Sequence, residues 1–284
     1  MSCYLCNSEN YFKRSGSVRD DSNIDILECS VCGLVYLSSL SHIKEGHYEE
    51  SGMHSVELKI EKWLQECKED DNRRYEFVKG KIANKTLLDF GCGAGGFIEI
   101  VKLYAKKVSG IELEKALQPS FKKRGLKVFP NILKAQKEGL QYDLITAFHV
   151  VEHLQNPKRV LKELSKLLNE EGEMIIEVPN SDDVLLTLYE NNGFQNFSYW
   201  SQHLFLFNEK TMTELVKQAG LKLNWIRHIQ RYPLSNHLYW MAKGKPGGHK
   251  NWSYLDSNEL NLEYERKLAN IGKTDTIIAG VSKL

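Results

Sequence analysis

The stretch from residue 87 to residue 96, LLDFGCGAGG, decides the fold of this chain. Its first four residues have the composition of a buried strand, and the glycines that follow let the backbone turn sharply and approach a ligand closely. The next residues, FIEIV at 97–101, begin an amphipathic stretch. This order of strand, glycine turn and helix is typical of the first unit of a nucleotide-binding α/β sheet.

Short apolar runs alternate with amphipathic stretches on the C-terminal side of this turn. We expect strands at 86–90, 107–112, 126–129, 142–148, 173–178 and 274–282. One helix begins at Pro157 with Asn156 as its cap, and another covers about 209–219. The alternation predicts an α/β, Rossmann-like fold with a mostly parallel sheet. The segment at about 227–257 is rich in aromatic residues, histidine and glycine, and we expect it to form an ordered lid or substrate insertion.

Four of the six cysteines lie in two C-x2-C pairs, Cys3 with Cys6 and Cys29 with Cys32. Two such pairs supply the four thiolates of a tetrahedral zinc site, and the 22 residues between them allow a ribbon hairpin. We expect a structural zinc ion and not disulfides, because the first residues do not resemble a secretion signal. A site with four protein ligands leaves no open position for catalysis at the metal.

The composition is that of an ordinary globular chain: 284 residues, 42% hydrophobic, with 38 Lys and Arg against 37 Asp and Glu. Fibrous and disordered classes are therefore excluded. No uncharged apolar run reaches the roughly 18 residues of a membrane span, and we expect a cytoplasmic protein. Residues 1–50 carry four basic and eight acidic side chains. This balance opposes phosphate binding, so we expect a small-molecule substrate and no nucleic-acid partner.

These features divide the chain into three parts. Residues 1–50 form a zinc-ribbon-like module. Residues 51–85 are charged, with apolar residues at helical spacing, and predict linking helices. Residues 86–284 form the main domain.

The glycine turn by itself fits two kinds of cofactor. Gly91, Gly93 and Gly96 satisfy the G-x-G-x-x-G pattern of dinucleotide sites. Glu112 follows the second strand about 20 residues later, where a carboxylate can accept both ribose hydroxyls of NAD or of an adenosyl cofactor. Asp89 stands two residues before the first glycine, and no second βαβαβ half follows to hold the other nucleotide of NAD. The adenosyl cofactor is therefore favoured, with an NAD oxidoreductase as the lesser alternative.

Residues 86–180 resemble the class I S-adenosylmethionine (SAM)-dependent methyltransferases. LDFGCGAG at 88–95 is similar to the family's first motif, and Ile111-Glu112 to its second. The resemblance implies a seven-stranded sheet whose last strand is antiparallel. Asn131 stands where the family usually has an acid near the adenine amino group. The cofactor-binding residues that the resemblance implies are Asp89, Gly91, Gly93, Gly95, Glu112, Leu113, Asn131 and Phe148.

YDLITAFHVVEHL at 142–154 resembles the fourth-strand segment of the family's small-molecule branch, whose end faces the cofactor methyl group. Together with the four-cysteine ribbon, it is similar to sugar and surface-polysaccharide methyltransferases. The resemblance implies O-methylation of a sugar or a nucleotide-linked sugar. The alternatives are an RNA or quinone-like methyltransferase, and a non-catalytic zinc-bearing module with a methyltransferase fold.

Four side chains are candidates for catalysis: His149, Glu152, His153 and His203. A sugar hydroxyl is a poor nucleophile, so a nearby base would assist the transfer, and histidine titrates closest to neutral pH. A structural role for His153 is equally consistent with the sequence. The spacing H-x-x-E-H also resembles the E-x-x-E-H magnesium motif of some quinone and RNA-end methyltransferases, which makes Mg²⁺ a less favoured additional cofactor.

Overall fold

The computed structural model describes residues 2–50 and 59–284 of the chain. Its strands are β1 (Tyr11–Lys13), β2 (Ile26–Cys29), β3 (Val35–Leu37), β4 (Thr86–Phe90), β5 (Lys107–Ile111), β6 (Val128–Phe129), β7 (Tyr142–Phe148), β8 (Leu168–Pro179), β9 (Phe205–Leu206), β10 (Leu221–Ile229) and β11 (Thr276–Lys283). Its helices are α1 (Ile60–Ile82), α2 (Gly96–Val101), α3 (Gln118–Lys123), α4 (Ile132–Lys137), α5 (Pro157–Ser165), α6 (Val184–Thr187), α7 (Asn192–Ser198), α8 (Glu209–Gln218), α9 (Leu234–Lys243), α10 (Gly248–Asn251) and α11 (Asn258–Asn270).

A seven-stranded sheet in the order β10-β11-β8-β7-β4-β5-β6 carries the main domain. The strands from β8 to β6 pair in parallel, and β11 lies antiparallel between β8 and β10. This confirms the predicted Rossmann-like sheet with its antiparallel last strand. Along the chain, β5 and β6 follow β4 on one side of the sheet, and β7 then pairs with the other side of β4. Ligands of such sheets bind at the carboxyl ends of the strands where the order reverses.

The local signals in the sequence place most elements correctly. β4 and β7 occupy the predicted residues, and α5 begins at Pro157 because the Asn156 side chain accepts a hydrogen bond from the Arg159 amide. β8 begins earlier than expected, since Leu168 pairs with Tyr142 before a shift in register. The segment at 227–257 is more regular than expected. Its first residues complete β10, and α9 follows because its Trp240 face is buried.

A second sheet, in the order β1-β2-β3-β9, joins the N-terminal segment to the main domain. β9 lies between α7 and α8 of the main domain, and it pairs with β3 through Val35 with Leu206 and Tyr36 with Phe205. The buried residues of this sheet share one hydrophobic cluster with β7, β8 and α8. The four-cysteine segment is therefore packed against residues 199–207 of the main domain.

The long helix α1 covers the glycine turn between β4 and α2. It corresponds to part of the predicted linking segment, of which residues 51–58 lie outside the described residues. A Cβ atom added at Gly93 would lie 3.1 Å from the Trp63 ring, and one added at Gly96 would overlap the Asp71 carboxylate. These glycines let α1 approach the turn closely. Within the described residues, no helix combines the length and apolar character needed to cross a membrane.

Candidate active site

A cavity of about 520 Å³ opens at the carboxyl ends of β4, β5 and β7, where the strand order reverses. Its volume lies in the range of small-molecule sites. The glycine turn lines one side of it, and a group of histidines lines the other. The residues predicted from sequence that contribute to its lining are Asp89, Gly91, Gly93, Glu112, Leu113, Phe148, His149, His153 and His203.

The glycine turn is held in position by its own backbone. Gly91 and Gly93 have φ angles of 71° and 51°, in the left-handed region that favours glycine. The amides of Gly91 and Cys92 donate to the Ile111 carbonyl at 2.8 and 3.1 Å, which ties the turn to the end of β5. The Gly93 amide donates to Glu112 Oε2 at 2.8 Å. The turn and the predicted ribose-binding carboxylate therefore form one connected unit.

The side of the cavity next to the turn is acidic. Asp89 is buried and accepts a hydrogen bond from the Thr146 hydroxyl at 2.6 Å, and burial raises its pKa to about 7. Burial also raises the pKa of Glu112, and that of Asp71 on α1 to about 6. A positively charged ligand would stabilise all three as carboxylates. Asp89, which has no ion-pair partner among the described residues, suits the positively charged methionine end of SAM, whereas Asp71 lies 3.6 Å from Arg74.

Two of the predicted cofactor residues lie behind this lining. Gly95, with a φ angle of 83°, is the cap residue of α2. Asn131 caps α4, where its side chain accepts from the Lys134 amide at 3.0 Å. Neither residue is among those that line the cavity, so the adenine contact of Asn131 stays a prediction.

His149 lies between two buried carboxylates. Its Nδ1 is 3.1 Å from Glu152 Oε1, and its Nε2 is 3.2 Å from Glu177 Oε1. Burial opposes protonation of the ring, but these two hydrogen bonds outweigh it and raise the pKa of His149. Glu177 also accepts from Arg73 and Arg74 of α1 at 2.9 and 3.0 Å. The guanidinium of Arg231, which can only donate, also lies 3.2 Å from Nε2. Both ring nitrogens of His149 are therefore engaged, which suits a fixed group better than a base.

His153 and His203 have the opposite character. His153 Nδ1 is 2.8 Å from the Gln202 carbonyl oxygen, which can only accept, so the proton lies on Nδ1 and the lone pair on Nε2. Burial lowers the pKa of His153, and it lowers that of His203 to about 3. The two ring centroids are 5.0 Å apart. Both rings are therefore neutral near pH 7, and both line the cavity.

Glu152 connects the three histidines. It is fully buried, and its Oε2 has no hydrogen-bond partner among the described residues. Burial opposes its ionisation, but the hydrogen bond from His149 and the electrostatic interactions with the three histidines together outweigh burial and lower the pKa of Glu152. One ligand atom from each of Glu152, His153 and His203 lies within 4.8 Å of the others. The Glu152 carboxylate can therefore balance the positive charge of a protonated His153, or the three side chains can together coordinate a divalent cation.

Several lining residues were missed by the sequence analysis. Asp71 and Arg74 lie on α1, in the charged run CKEDDNRR at 67–74 that was interpreted as a linker. Arg19 and Tyr48 come from the N-terminal segment, and Arg231 follows β10. The sequence held no signal for these residues, because mixed charges on a helix are typical of a solvated face.

The four cysteines of the N-terminal segment converge on one point. Cys3 Sγ lies 3.5 Å from Cys32 Sγ and Cys6 Sγ lies 3.4 Å from Cys29 Sγ, and all four sulfurs are within 4.8 Å of one another. A tetrahedral zinc ion with bonds of about 2.3 Å has sulfur–sulfur edges of about 3.8 Å. Asn7 and Gly33 follow the two pairs with φ angles of 58° and 84°. The two turns thus have matching geometry, and the arrangement fits zinc.

Residues 58–224 match the family model described as "Methyltransferase domain". An uncharacterised protein of Methanocaldococcus jannaschii is 28% identical over 167 residues, which cover 57% of this chain and 77% of that protein. A ubiquinone biosynthesis O-methyltransferase of Acinetobacter baylyi is 25% identical over 183 residues, 57% of this chain and 74% of that enzyme. The crystal structure of a SAM-dependent methyltransferase from Archaeoglobus fulgidus shares the fold, with a TM-score of 0.50 at 17% identity, over 79% of this chain and 95% of that one.

Proposed function

Because this chain belongs to the SAM-dependent methyltransferase family, we propose that it methylates a hydroxyl oxygen of a small-molecule acceptor. The observation that carries the proposal is the position of His153 and His203 in the same cavity as the glycine turn, with His153 Nδ1 bonded to a backbone carbonyl. SAM supplies an activated methyl group, so the chain's main task is to align the acceptor and exclude water.

His153 is the proposed base. The Gln202 carbonyl fixes its tautomer and leaves Nε2 to accept the hydroxyl proton. Glu152, buried and ionised beside it, stabilises the imidazolium that results. His203 has a pKa of about 3 and holds a proton too weakly to be the base. The His203 ring can instead form one hydrogen bond with the acceptor molecule, as donor or as acceptor of the hydrogen.

The test compares His153→Ala and His203→Ala with His228→Ala, since His228 lies outside the cavity and contacts Thr274 and Glu209. We expect a loss of about 10² to 10⁴ in kcat for His153→Ala, a smaller loss for His203→Ala, and none for His228→Ala. SAM binding, measured by calorimetry, should stay unchanged in all three. Full activity of His153→Ala would refute its role as the base.

The acceptor class is tested with a panel. The resemblance of the sequence to surface-polysaccharide methyltransferases implies a sugar or nucleotide sugar for capsule or lipopolysaccharide synthesis. The similarity to a ubiquinone biosynthesis O-methyltransferase supports a phenolic acceptor as the second candidate. Mass spectrometry of nucleotide sugars and substituted catechols incubated with SAM would identify the substrate by the gain of one methyl group. Methylation of neither set would refute both classes.

A divalent cation at Glu152, His153 and His203 is a second candidate for assistance. Two imidazoles and one carboxylate match the ligand preference of zinc or ferrous iron better than that of Mg²⁺, which prefers oxygen ligands. EDTA treatment that leaves the four-cysteine metal in place separates the candidates. Unchanged activity would support His153 as a metal-free base, and loss restored by one added metal would replace that proposal.

We propose a structural zinc ion at the four cysteines. Metal analysis of the purified protein should find one zinc per chain, and Cys29→Ser should lower its content and the melting temperature. The matched control is Cys67→Ser on α1, a half-buried thiol outside this cluster. Full zinc content in Cys29→Ser would contradict the assignment.

A further inference from the structure

The N-terminal segment forms part of the cavity, beyond its four-cysteine turns. Arg19 and Tyr48 line the cavity, and the Tyr48 hydroxyl donates to the His153 carbonyl at 2.6 Å. The same segment also holds the loop that carries Trp200 and His203. Asp20 accepts from the amide and hydroxyl of Ser201 at 3.0 and 2.7 Å. The catalytic side of the cavity is therefore shaped by residues of the first fifty.

Arg19 is held in place by the backbone and by aromatic rings. Its amide donates to the Tyr199 carbonyl at 2.9 Å. Its guanidinium lies 4.7 Å from the centre of the Trp200 ring and 5.6 Å from that of Phe197. Its Nη1 also donates to the Phe197 carbonyl at 3.4 Å. A guanidinium has five N–H donors, so stacking and this one hydrogen bond leave donors for a ligand.

The charge of Arg19 is not matched by a nearby ion pair. The neighbouring Asp20 is directed to Ser201, and no carboxylate lies within salt-bridge distance of Arg19 among residues 2–50 and 59–284. The other two arginines of the lining are both paired. Arg74 contacts Glu177, and Arg231 contacts Asp70. Arg19 is thus the cation of the described lining that remains available to a ligand.

The two sides of the cavity differ in charge. The side next to the glycine turn carries Asp71, Asp89 and Glu112, whereas the side built from the N-terminal segment carries Arg19. Arg74 lies 3.6 Å from Asp71 and is paired with carboxylates, so it leaves Arg19 as the cation available to an anionic acceptor. Guanidinium is the side chain best suited to bind carboxylate or phosphate through two parallel hydrogen bonds.

We propose that Arg19 binds an anionic group of the acceptor, a carboxylate or a phosphate, so that the four-cysteine segment determines acceptor specificity. This inference rests on the proposed function, because it assigns the acceptor side of the same cavity. It restricts the acceptors to hydroxylated molecules that carry a negative charge within reach of the hydroxyl group.

The test measures binding to the full-length protein saturated with S-adenosylhomocysteine, so that no turnover occurs. The probes are glucose 1-phosphate and 3,4-dihydroxybenzoate, each compared with its neutral counterpart, glucose and catechol. We expect at least one anionic probe to bind about tenfold or more tightly than its counterpart, as a charge-assisted bidentate contact should provide. The probe that shows the preference distinguishes phosphate from carboxylate.

Arg19→Gln should abolish this preference, and Arg19→Lys should retain only part of it, because lysine keeps the charge but loses the planar fork. The control is Lys13→Gln, which removes one positive charge from an exposed site on the same segment, paired with Asp25. It should leave every dissociation constant unchanged. Circular dichroism and thermal melting of each variant check that the fold is retained.

Equal binding of charged and neutral probes to the native protein would overturn the proposal, and so would a preference that survives in Arg19→Gln. Binding of S-adenosylhomocysteine reports on the cofactor site separately. If it fails in the native protein, the proposed methyltransferase function fails as well. If it persists while the anion preference is missing, only the assignment of Arg19 is wrong.

Discussion

Replacing Asp89 by asparagine should change the free energy of unfolding of the ligand-free protein, relative to the native protein, more favourably at high pH than at low pH. The same replacement should weaken the binding of SAM. Asp89 is buried at the end of β4 with the Thr146 hydroxyl as its hydrogen-bond partner. Burial raises its pKa from 3.8 to about 7. The native state therefore holds a proton on this group that the unfolded state releases.

The sign and size of the effect follow from this difference. Because the folded pKa is the higher one, ionised Asp89 costs stability, and the cost grows from pH 3.8 to about pH 7 and is constant above it. A rise of the pKa from 3.8 to about 7 corresponds to about 4 kcal/mol at pH 8, and to about 1 to 2 kcal/mol at pH 5. Asparagine does not ionise, so the difference in free energy of unfolding between the variant and the native protein should shift by about 2 to 3 kcal/mol in favour of the variant from pH 5 to pH 8.

The absolute stability of the variant also includes its unpaired amide donor, which costs about 1 to 3 kcal/mol at every pH. The assay is therefore urea unfolding of both proteins at pH 5 and pH 8, and the difference between the two conditions is the quantity compared. The control is Asp143→Asn on β7. Hydrogen bonds from the Thr86 amide and hydroxyl outweigh burial and lower the pKa of Asp143.

Asp143 is ionised at both pH values in the folded and the unfolded state, so Asp143→Asn should lower the free energy of unfolding equally at pH 5 and pH 8. A stability difference between Asp89→Asn and the native protein that does not change with pH would refute the reasoning. So would a change of similar size in both variants.

Three further outcomes are expected. Gly91→Ala should weaken SAM binding, measured by calorimetry, at least about tenfold, because the added Cβ would overlap Val150 and the φ angle is positive. Gly125→Ala, which has open space around it, should leave the affinity unchanged. Equal affinities of the two variants for SAM would contradict this. Glu177→Gln should lower the free energy of unfolding, measured in urea, by about 3 to 5 kcal/mol, because it removes the buried partner of Arg73, Arg74 and His149. A loss below about 1 kcal/mol would contradict a stabilising role for these three contacts. SAM binding at pH 6 should release protons as Asp89 ionises, and it should release fewer protons at pH 8.5. Calorimetry in buffers of different ionisation enthalpy measures the number of protons released. Proton uptake on binding at pH 6 would contradict the prediction.

The sequence by itself determined the features that depend on neighbours along the chain. The strand and glycine turn at 87–96 are fixed by apolar residues followed by glycines that adopt positive φ, and Asn156 and Pro157 start α5 through local capping. The alternation of strands and helices then predicted the parallel sheet, and the resemblance supplied its antiparallel last strand. The spacing within each C-x2-C pair likewise predicted that the four thiols would converge.

Only the tertiary structure decided how distant segments complete the site. Arg19 reaches the cavity because β3 pairs with β9, an antiparallel contact across some 170 residues that no local pattern encodes. Two neighbouring carboxylates raise the pKa of His149, whereas burial lowers the pKa of His153 and outweighs its hydrogen bond to the Gln202 carbonyl. Residue type gives a histidine its intrinsic pKa, but burial and hydrogen-bond partners depend on packing, and packing is a property of the folded chain as a whole.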